Sequence, residues 1–377
     1  MLKNIKLDSP RGRDTTMDVG LLLGAIGISG STVPIQSPFD RAASRYPNSN
    51  LTPYIQNAYV KVNQFLGYPW QLTLGRQPFE LVGGLLASDN GVGFTGLRID
   101  YPFRSWEMKT KLFMFEPSST GGVNSLDLYG FSLEIPSEGI WELSALIEKD
   151  KTTTVALNTP VQGAVRTFYG LRYSLEYGPL SFDGQGVIQS GSAKPQNPAQ
   201  SKITYAGTAL LFKGKWTQEM GRLGIGQGRL SFGKGSGDHS DTLTRDEAFF
   251  PSYGKRFDGL ERAGFGDFYG ASLYDAFGST STANGLPPNA SGVQVFNLGA
   301  TFPPYNGIYL DIDYYIFQAG TIGSALTKSL GKEWDVRLHY TIKNKLTIQV
   351  AFASFSPGNP YNSTTAKRFL FEASGRF

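Results

Sequence analysis

The last twelve residues, Ala366-Lys-Arg-Phe-Leu-Phe-Glu-Ala-Ser-Gly-Arg-Phe377, alternate between apolar and polar side chains and end on an aromatic ring. Side chains two residues apart in a strand point to the same side, so Phe369, Phe371 and Phe377 share one face and Arg368 lies on the other. The stretch therefore predicts a β-strand with one apolar wall and one charged wall. Many such strands with charges facing inward form an outer-membrane β-barrel, whereas a soluble sheet must cover its apolar wall with a core.

The same alternation recurs along the whole chain. The clearest examples are residues 57–63, 97–101, 107–114, 141–148, 166–177, 308–316 and 333–343. A slip of one residue would move every charge of such a strand to the other face, so the register is strongly specified. We predict one domain over residues 1–377, an antiparallel transmembrane barrel of about 16 strands beginning near Thr16. The count rises to about 18 if Leu2–Leu7 and Phe268–Ala276 are strands as well.

The connections between these segments alternate between short and long. Short ones are predicted near 66–69, 102–105, 136–139, 178–179, 303–307 and 343–345, and long ones near 30–50, 78–93, 150–165, 190–201, 235–291 and 318–332. Short periplasmic turns and long outer loops are typical of outer-membrane barrels. Segment 235–291 is the longest, and a loop of that length without its own fold is usually functional or disordered, so it is the candidate for constricting a pore.

The tryptophans lie near the predicted strand ends. Tryptophan prefers the headgroup level of a membrane, so these rings and the terminal phenylalanine are predicted to form aromatic girdles. The predicted girdle residues are Trp70, Trp106, Trp141 and Trp216 on the periplasmic side, Trp334 at the outer rim, and Phe377. A closing strand that ends on Phe is also the signal by which the bacterial barrel-insertion machinery recognises its clients, which predicts that machinery as a partner.

Composition excludes several other classes. Only 40% of the 377 residues are apolar while 13% are aromatic, which suits a wall in which every second residue meets lipid. The longest nearly apolar stretch, Val19–Ile28, is too short for a membrane-spanning helix of about 20 residues. The net charge of +4 contains no basic run, so no nucleic-acid partner is expected. The first residues lack the apolar core of a signal peptide, from which we infer a mature or re-engineered start.

Motifs for catalysis and metal binding are sparse. Without cysteine there is neither a disulfide framework nor a thiol metal site. The two histidines, His239 and His339, are accompanied by no serine nucleophile motif. The acids between Asp238 and Glu247 do not have the spacing of an EF-hand, so they are interpreted as solvated loop side chains. We therefore expect no catalytic residue, no metal and no cofactor.

Three stretches carry a family resemblance. Leu330-Gly-Lys-Glu-Trp-Asp through the Phe355-Ser-Pro-Gly358 exit is similar to the C-terminal hairpin of the alginate-export outer-membrane porin family. The stretch from Phe257-Asp-Gly to Asp275 resembles the long loop of that family before its last strands. Leu74-Gly-Arg-Gln77 followed by Phe94-Thr-Gly-Leu-Arg98 resembles its Gly-Arg-Gln strand and the strand after it. The resemblance implies an outer-membrane channel, sometimes one that exports an anionic polysaccharide.

The charged wall is the predicted site. Opposed cations and anions in a pore select solutes by charge and size. The predicted pore-lining residues are Arg98, Asp100, Glu107, Lys109, Lys111, Glu142, Arg166, Arg172, Glu176, Asp311, Asp313, Glu333, Asp335, Arg337, His339, Arg368 and Glu372. Cations and anions are close to balance here, whereas a polyanion exporter is expected to present a strongly cationic lumen.

The sequence thus predicts a porin of the bacterial outer membrane. Small polar solutes or an exported polysaccharide would pass through it, and membrane lipids and lipopolysaccharide would surround it. A homo-oligomer is left open. The alternatives are an outer-membrane scaffold or plugged receptor that binds a partner protein, a barrel enzyme, and a soluble β-sandwich or lectin.

Overall fold

The fold is described from a computed structural model of the chain. The structure describes residues 2–7, 15–27, 51–89, 91, 93–103, 106–117, 126–156, 159–239, 242, 244–252, 264–271, 273, 290–322, 327–342, 346–358 and 364–375. These residues form strands and three single 3-10 turns, at Phe65–Gly67, Val82–Gly84 and Gly221–Leu223. Among them, no helix is long and apolar enough to cross a membrane.

The described residues contain 21 strands, numbered here in chain order. They are β1 (Leu2–Leu7), β2 (Thr15–Gly27), β3 (Leu51–Asn63), β4 (Gln71–Gln77), β5 (Glu80–Leu81), β6 (Ala87–Ser88), β7 (Phe94–Phe103), β8 (Met108–Glu116), β9 (Leu126–Pro136), β10 (Ile140–Ala156), β11 (Thr159–Tyr177), β12 (Leu180–Pro195), β13 (Ile203–Tyr205), β14 (Thr208–Glu219), β15 (Ile225–Gly235), β16 (Arg245–Asp246), β17 (Ala290–Tyr305), β18 (Ile308–Ile322), β19 (Ser329–Ile342), β20 (Leu346–Pro357) and β21 (Ala366–Gly375).

Nineteen of these strands belong to one antiparallel sheet, and β5 and β6 pair separately. The chain divides into two compact units, which are described separately: unit 1 holds residues 1–171, 187–205 and 251–263, and unit 2 holds 172–186, 206–250 and 264–377. In unit 1 the ladder runs β1–β2–β3–β4–β7–β8–β9–β10. In unit 2 it runs β14–β15–β17–β18–β19–β20–β21.

The predicted all-β antiparallel fold class is confirmed, and the predicted strand count roughly fits the 19-stranded sheet. Sixteen strands of seven residues or more begin with β2 at Thr15, one residue before the predicted start. Leu2–Leu7 adds a six-residue strand, β1, which pairs with β2. The described part of Phe268–Ala276 is not a strand and makes only an isolated bridge, between Phe265 and Ala271.

Three of the predicted connections are shorter than expected. In the interval 318–332, β18 continues to Ile322 and β19 begins at Ser329. The interval 150–165 is strand up to Ala156 and again from Thr159, because its run of threonine and valine after Lys151 is strongly strand-forming. Likewise β12 continues to Pro195, inside the predicted 190–201 connection. The alternation of charges faded in these intervals, and the prediction ended the strands too early.

Burial along the strands is the inverse of that in a soluble sheet. On β10, Glu148 is 1% exposed, while Trp141, Leu143 and Ile147 are exposed on the opposite face. On β19, Glu333 is fully buried and its neighbour Trp334 is exposed. Acidic side chains are almost never fully buried unless they are paired, and large apolar side chains normally fill a core. We call these two sides of the sheet the polar face and the apolar face.

Candidate functional site

The polar face of unit 2 carries a network of ion pairs centred on Arg337. Its guanidinium binds Asp267 through two nitrogens: Nε lies 2.6 Å from Oδ2, and Nη2 lies 2.9 Å from Oδ1. The same guanidinium lies 3.2 Å from Asp313 and 3.6 Å from Asp335. Two-pronged contacts of this kind fix the orientation of both partners, and together they hold charges that would be costly to bury alone.

A second arginine extends the network toward the short-turn end of β18. Arg229 on β15 lies 3.1 Å from Asp313 and 3.4 Å from Asp311, and it also contacts the hydroxyl of Thr301. The other oxygen of Asp311 faces His339, whose Nδ1 is 3.2 Å away. Asp311 and Asp313 are therefore shared between Arg229 on β15 and the side chains of Arg337 and His339 on β19, the strand that pairs with β18.

Residues 264–271, which we call the inner segment, are held against this face by backbone hydrogen bonds. Three successive amides donate to carboxylates of β19: Asp267 to Asp335 at 2.8 Å, and Phe268 and Tyr269 to the two oxygens of Glu333 at 2.6 and 2.9 Å. Gly266, with a φ of 84°, lies so close that a Cβ would come within 2.7 Å of Glu333. Only glycine fits this approach.

Aromatic side chains add an apolar contact beneath the inner segment. The Tyr269 ring packs 4.6 Å from Phe317 and 4.9 Å from Phe355, and Phe268 stacks on Phe355 at 5.8 Å. Arg368 on β21 also donates to the backbone carbonyl of Asp267, at 2.7 Å. The inner segment is thus attached by charge, backbone and aromatic contacts to β18, β19, β20 and β21.

Four more ion pairs lie on the polar face within single units. In unit 1, Arg166 binds Glu148 at 2.7 Å, and Arg98 binds Asp100 at 2.9 Å. Unit 1 also contains an ion pair between Lys111 and Glu134. In unit 2, Arg172 holds Asp183 with Nη2 at 2.6 Å and Nε at 3.1 Å from the same carboxylate oxygen. Opposite charges on neighbouring strands keep this face polar without leaving a bare buried charge.

In unit 1 the segment 79–89 also folds onto the polar face, although its sequence predicted only a connection. Phe79 packs 4.7 and 4.6 Å from Phe113 and Phe115, which share the face of Lys111. The amide of Val82 donates to Glu142 at 2.9 Å, and Val82 fills the space beside Gly170. The signal was present in the sequence: Phe113 and Phe115 interrupt the charged face of β8, and the connection holds the apolar run Leu85-Leu86-Ala87.

The structure places the predicted pore-lining residues, apart from Glu107, on the polar face of their strands. Its largest cluster joins Asp311, Asp313, Glu333, Asp335, Arg337, His339 and Arg368 in unit 2. Glu107 is different, because it is exposed in the turn before β8 with a φ of 54°. Lys109, Glu176 and Glu372 are exposed at or near strand ends. Arg229 and Asp267, which belong to this cluster, and Asp183, the partner of Arg172, were not predicted.

The predicted girdle tryptophans are all at least partly exposed on the apolar side or in turns. Trp106 is the most exposed, Trp70 stacks on Tyr68 at 5.5 Å, and Trp334 packs 4.5 Å from Tyr314. Trp141 and Trp216 are exposed on β10 and β14. Phe377 lies outside the described residues, so its part in the girdle and in barrel insertion stays a prediction.

Comparison with known proteins identifies the fold. No protein-family model matches the chain, and no curated protein matches it either. Among solved structures, OccK1 (OpdK) of Pseudomonas aeruginosa matches with a TM-score of 0.56 and 12% identity, covering 98% of this chain and 89% of that one. OpdK with vanillate from the same organism gives 0.55, 11%, 98% and 90%. OccAB1 of Acinetobacter baumannii gives 0.54, 12%, 96% and 87%. The chain therefore has the fold of outer-membrane β-barrel porins.

Proposed function

We propose that the protein is a passive channel of the bacterial outer membrane that passes small polar solutes. The observation that carries the proposal is the inverted burial of its strands, with ion-paired carboxylates buried on one face and aromatic and aliphatic side chains exposed on the other. Exposure of an apolar face of this extent to water is unfavourable, whereas its contact with lipid acyl chains is not. The porin fold of the structural neighbours supports the same location.

Selection would take place along the paired charges of the polar face. A solute that sheds part of its hydration shell there meets both hydrogen-bond acceptors and guanidinium donors. Because Arg98, Arg166 and Arg172 each have a carboxylate within 3 Å, the local field runs between the partners rather than favouring one sign throughout. This arrangement suits neutral, zwitterionic and small charged solutes.

The inner segment and segment 79–89 would narrow the path within their own units. Both lie on the polar face and are attached through backbone amides, to Glu333 in unit 2 and to Glu142 in unit 1. The earlier expectation that segment 235–291 constricts the pore is thereby refined to its residues 264–271. Segment 79–89 is a second constriction, built mainly from apolar side chains.

The narrower kinship with alginate exporters remains a hypothesis. The structural neighbours support an outer-membrane porin without pointing to polysaccharide export, and the near balance of charge on the polar face does not favour a polyanion. No enzymatic activity is proposed, because the polar-face histidine, His339, faces Asp311 and stacks on Tyr309 in place of a nucleophile. A homo-oligomer and capture by the barrel-insertion machinery stay predictions.

Channel activity is tested by reconstituting the purified protein in a planar lipid bilayer. We expect discrete conductance steps whose current is proportional to voltage, because a hydrated path with fixed charges conducts in both directions. The denatured protein added at equal detergent concentration is the control. A folded preparation that inserts without conducting would reject the channel and favour the plugged receptor, since two segments already occupy the polar face.

The role of the paired arginines is tested by replacing Arg98, Arg166 and Arg172 together with alanine. Each substitution leaves a carboxylate without its cation, so the reversal potential in a salt gradient should move toward that of a cation-selective pore. Lys202→Ala, an exposed lysine between strands, is the matched control for loss of a positive charge. An unchanged reversal potential in the triple variant would show that these pairs lie outside the conducting path.

A further inference from the structure

The apolar face of unit 2 carries three lysines at one end of its strands. Lys234 on β15, Lys332 on β19 and Lys367 on β21 are all exposed. Each lies on the apolar side by register: Lys234 is opposite Leu210, Lys332 is opposite Ile316, and Lys367 follows the alternation of Phe369 and Phe371. A charge on a wall that faces lipid is costly unless it lies at the headgroup level.

All three lysines lie at the end of their strands that leads to the longer connections. Lys234 is the last residue but one of β15, before the connection to β17. Lys332 is the fourth residue of β19, and Lys367 is the second residue of β21. In outer-membrane barrels the longer connections face the cell exterior. The lysines therefore lie where the apolar face meets the outer leaflet.

Among the described strand residues of unit 2, this lysine belt has no negative counter-charge on its own face. Within the described parts of β14, β15 and β17–β21, the alternation puts every aspartate and glutamate on the polar face, and none of the three lysines forms an ion pair there. Unit 1 provides the contrast: Lys149 and Lys151 on β10 share the apolar face with Asp127, and Lys151 lies 3.2 Å from its carboxylate.

The neighbours of the lysine belt are groups that suit a polar headgroup. Gln294 lies opposite Lys234 and also opposite Gln318, so two amides continue the belt across β17 and β18. Ser356 lies opposite Lys332, and Ser354 lies opposite Lys367. Strands are about 4.8 Å apart, so Lys332 and Lys367, two strands apart, are separated by roughly 10 Å across the sheet.

We propose that the lysine belt of Lys234, Lys332 and Lys367 binds the phosphate groups of lipopolysaccharide in the outer leaflet. This inference rests on the proposed outer-membrane location. Three unpaired ammonium groups meet phosphate, the amides and hydroxyls between them meet the sugar, and the aromatic and aliphatic rows below, beginning with Trp334, meet the acyl chains. The site is a lipid contact on the outside of the sheet and is independent of solute passage.

The experiment measures binding of bisphosphorylated lipid A to the full-length protein in detergent, by native mass spectrometry. A lysine near an anionic surface adds about a fivefold factor in affinity, so the variant K234Q/K332Q/K367Q should bind about 100-fold more weakly. K149Q/K151Q, which removes two lysines from the same face but beside Asp127, should stay within about twofold of the unchanged protein. Correct folding of each variant is checked by its heat-modifiable migration in gels.

Two further measurements distinguish phosphate carried by lipid A from free inorganic phosphate. Dephosphorylated lipid A should bind as weakly to the unchanged protein as the bisphosphorylated form binds to the triple variant, and millimolar inorganic phosphate should not compete. Equal binding of bisphosphorylated lipid A to the triple variant would overturn the proposal, as would full competition by free phosphate. Bilayer conductance of the triple variant should be unchanged, so a failure of the lipid site is distinguishable from a failure of the channel.

Discussion

Replacing Glu333 with alanine should loosen the inner segment at Phe268 and Tyr269 and enlarge the conducting path. Glu333 is fully buried and accepts the amide protons of Phe268 and Tyr269. Without it these two donors stay buried without an acceptor, at a cost of about 1–3 kcal/mol each. The aromatic contacts of Tyr269 with Phe317 and Phe355 contribute only about 0.5–1.5 kcal/mol each, in addition to the burial of their apolar surface. The ion pair of Arg337 with Asp267 and the backbone hydrogen bonds of Asp267 to Asp335 and Arg368 remain, so the segment should stay attached at Asp267 and loosen at Phe268 and Tyr269.

The measurement for Glu333→Ala is the single-channel conductance, which should rise, together with cleavage of the segment by an added protease. Glu372→Ala is the matched control, because Glu372 is an exposed carboxylate on β21 that has the same charge and no contact with the inner segment. Conductance and protease resistance that both remain those of the unchanged protein would show that Glu333 is not the attachment. A rise in both variants alike would attribute the effect to charge alone.

The sequence predicted the strands and their two faces well, because a period of two depends on nearest neighbours only. Phe369 and Phe371 are exposed at 70% and 63%, while Arg368 on the opposite face reaches the carbonyl of Asp267, as the alternation of the last strand required. The register of β18 against β19 also followed, because slipping it would move Asp311 and Asp313 onto the apolar face.

The contacts of the two inward segments could not be predicted in the same way. Asp267 and Arg337 are 70 residues apart, and the local sequence pattern around either residue does not predict its contact with the other. Arg229 was overlooked because glycines surround it on β15, so its strand shows little alternation. Segment 79–89 was interpreted as an ordinary connection, since its apolar side chains pack against a face that the pattern had marked as charged.

Replacing Leu298 with arginine should destabilise the folded protein strongly if the apolar face lies in lipid. Leu298 lies in the middle of β17 and is 56% exposed. In water, an exposed leucine can become arginine with an effect of about 0.5 kcal/mol or less. At the middle of a bilayer the same change costs about 2–4 kcal/mol. Unfolding in urea with the protein in lipid vesicles measures the difference.

Phe302→Arg is the internal control, because it changes the same face of the same strand at a different depth. Four residues separate the two positions, about 13 Å along the strand. With a strand tilt of about 35–45° this is about 10 Å along the bilayer normal, close to half the height of a lipid-facing band of about 25 Å. Phe302 therefore lies at the level of the headgroups, where arginine costs only about 0–1 kcal/mol. A uniform solvent does not explain a large destabilisation by arginine at position 298 together with a small one at position 302, since both side chains are comparably exposed. Equal and small effects at the two positions would show that the apolar face does not contact lipid, and would thereby reject the proposed channel.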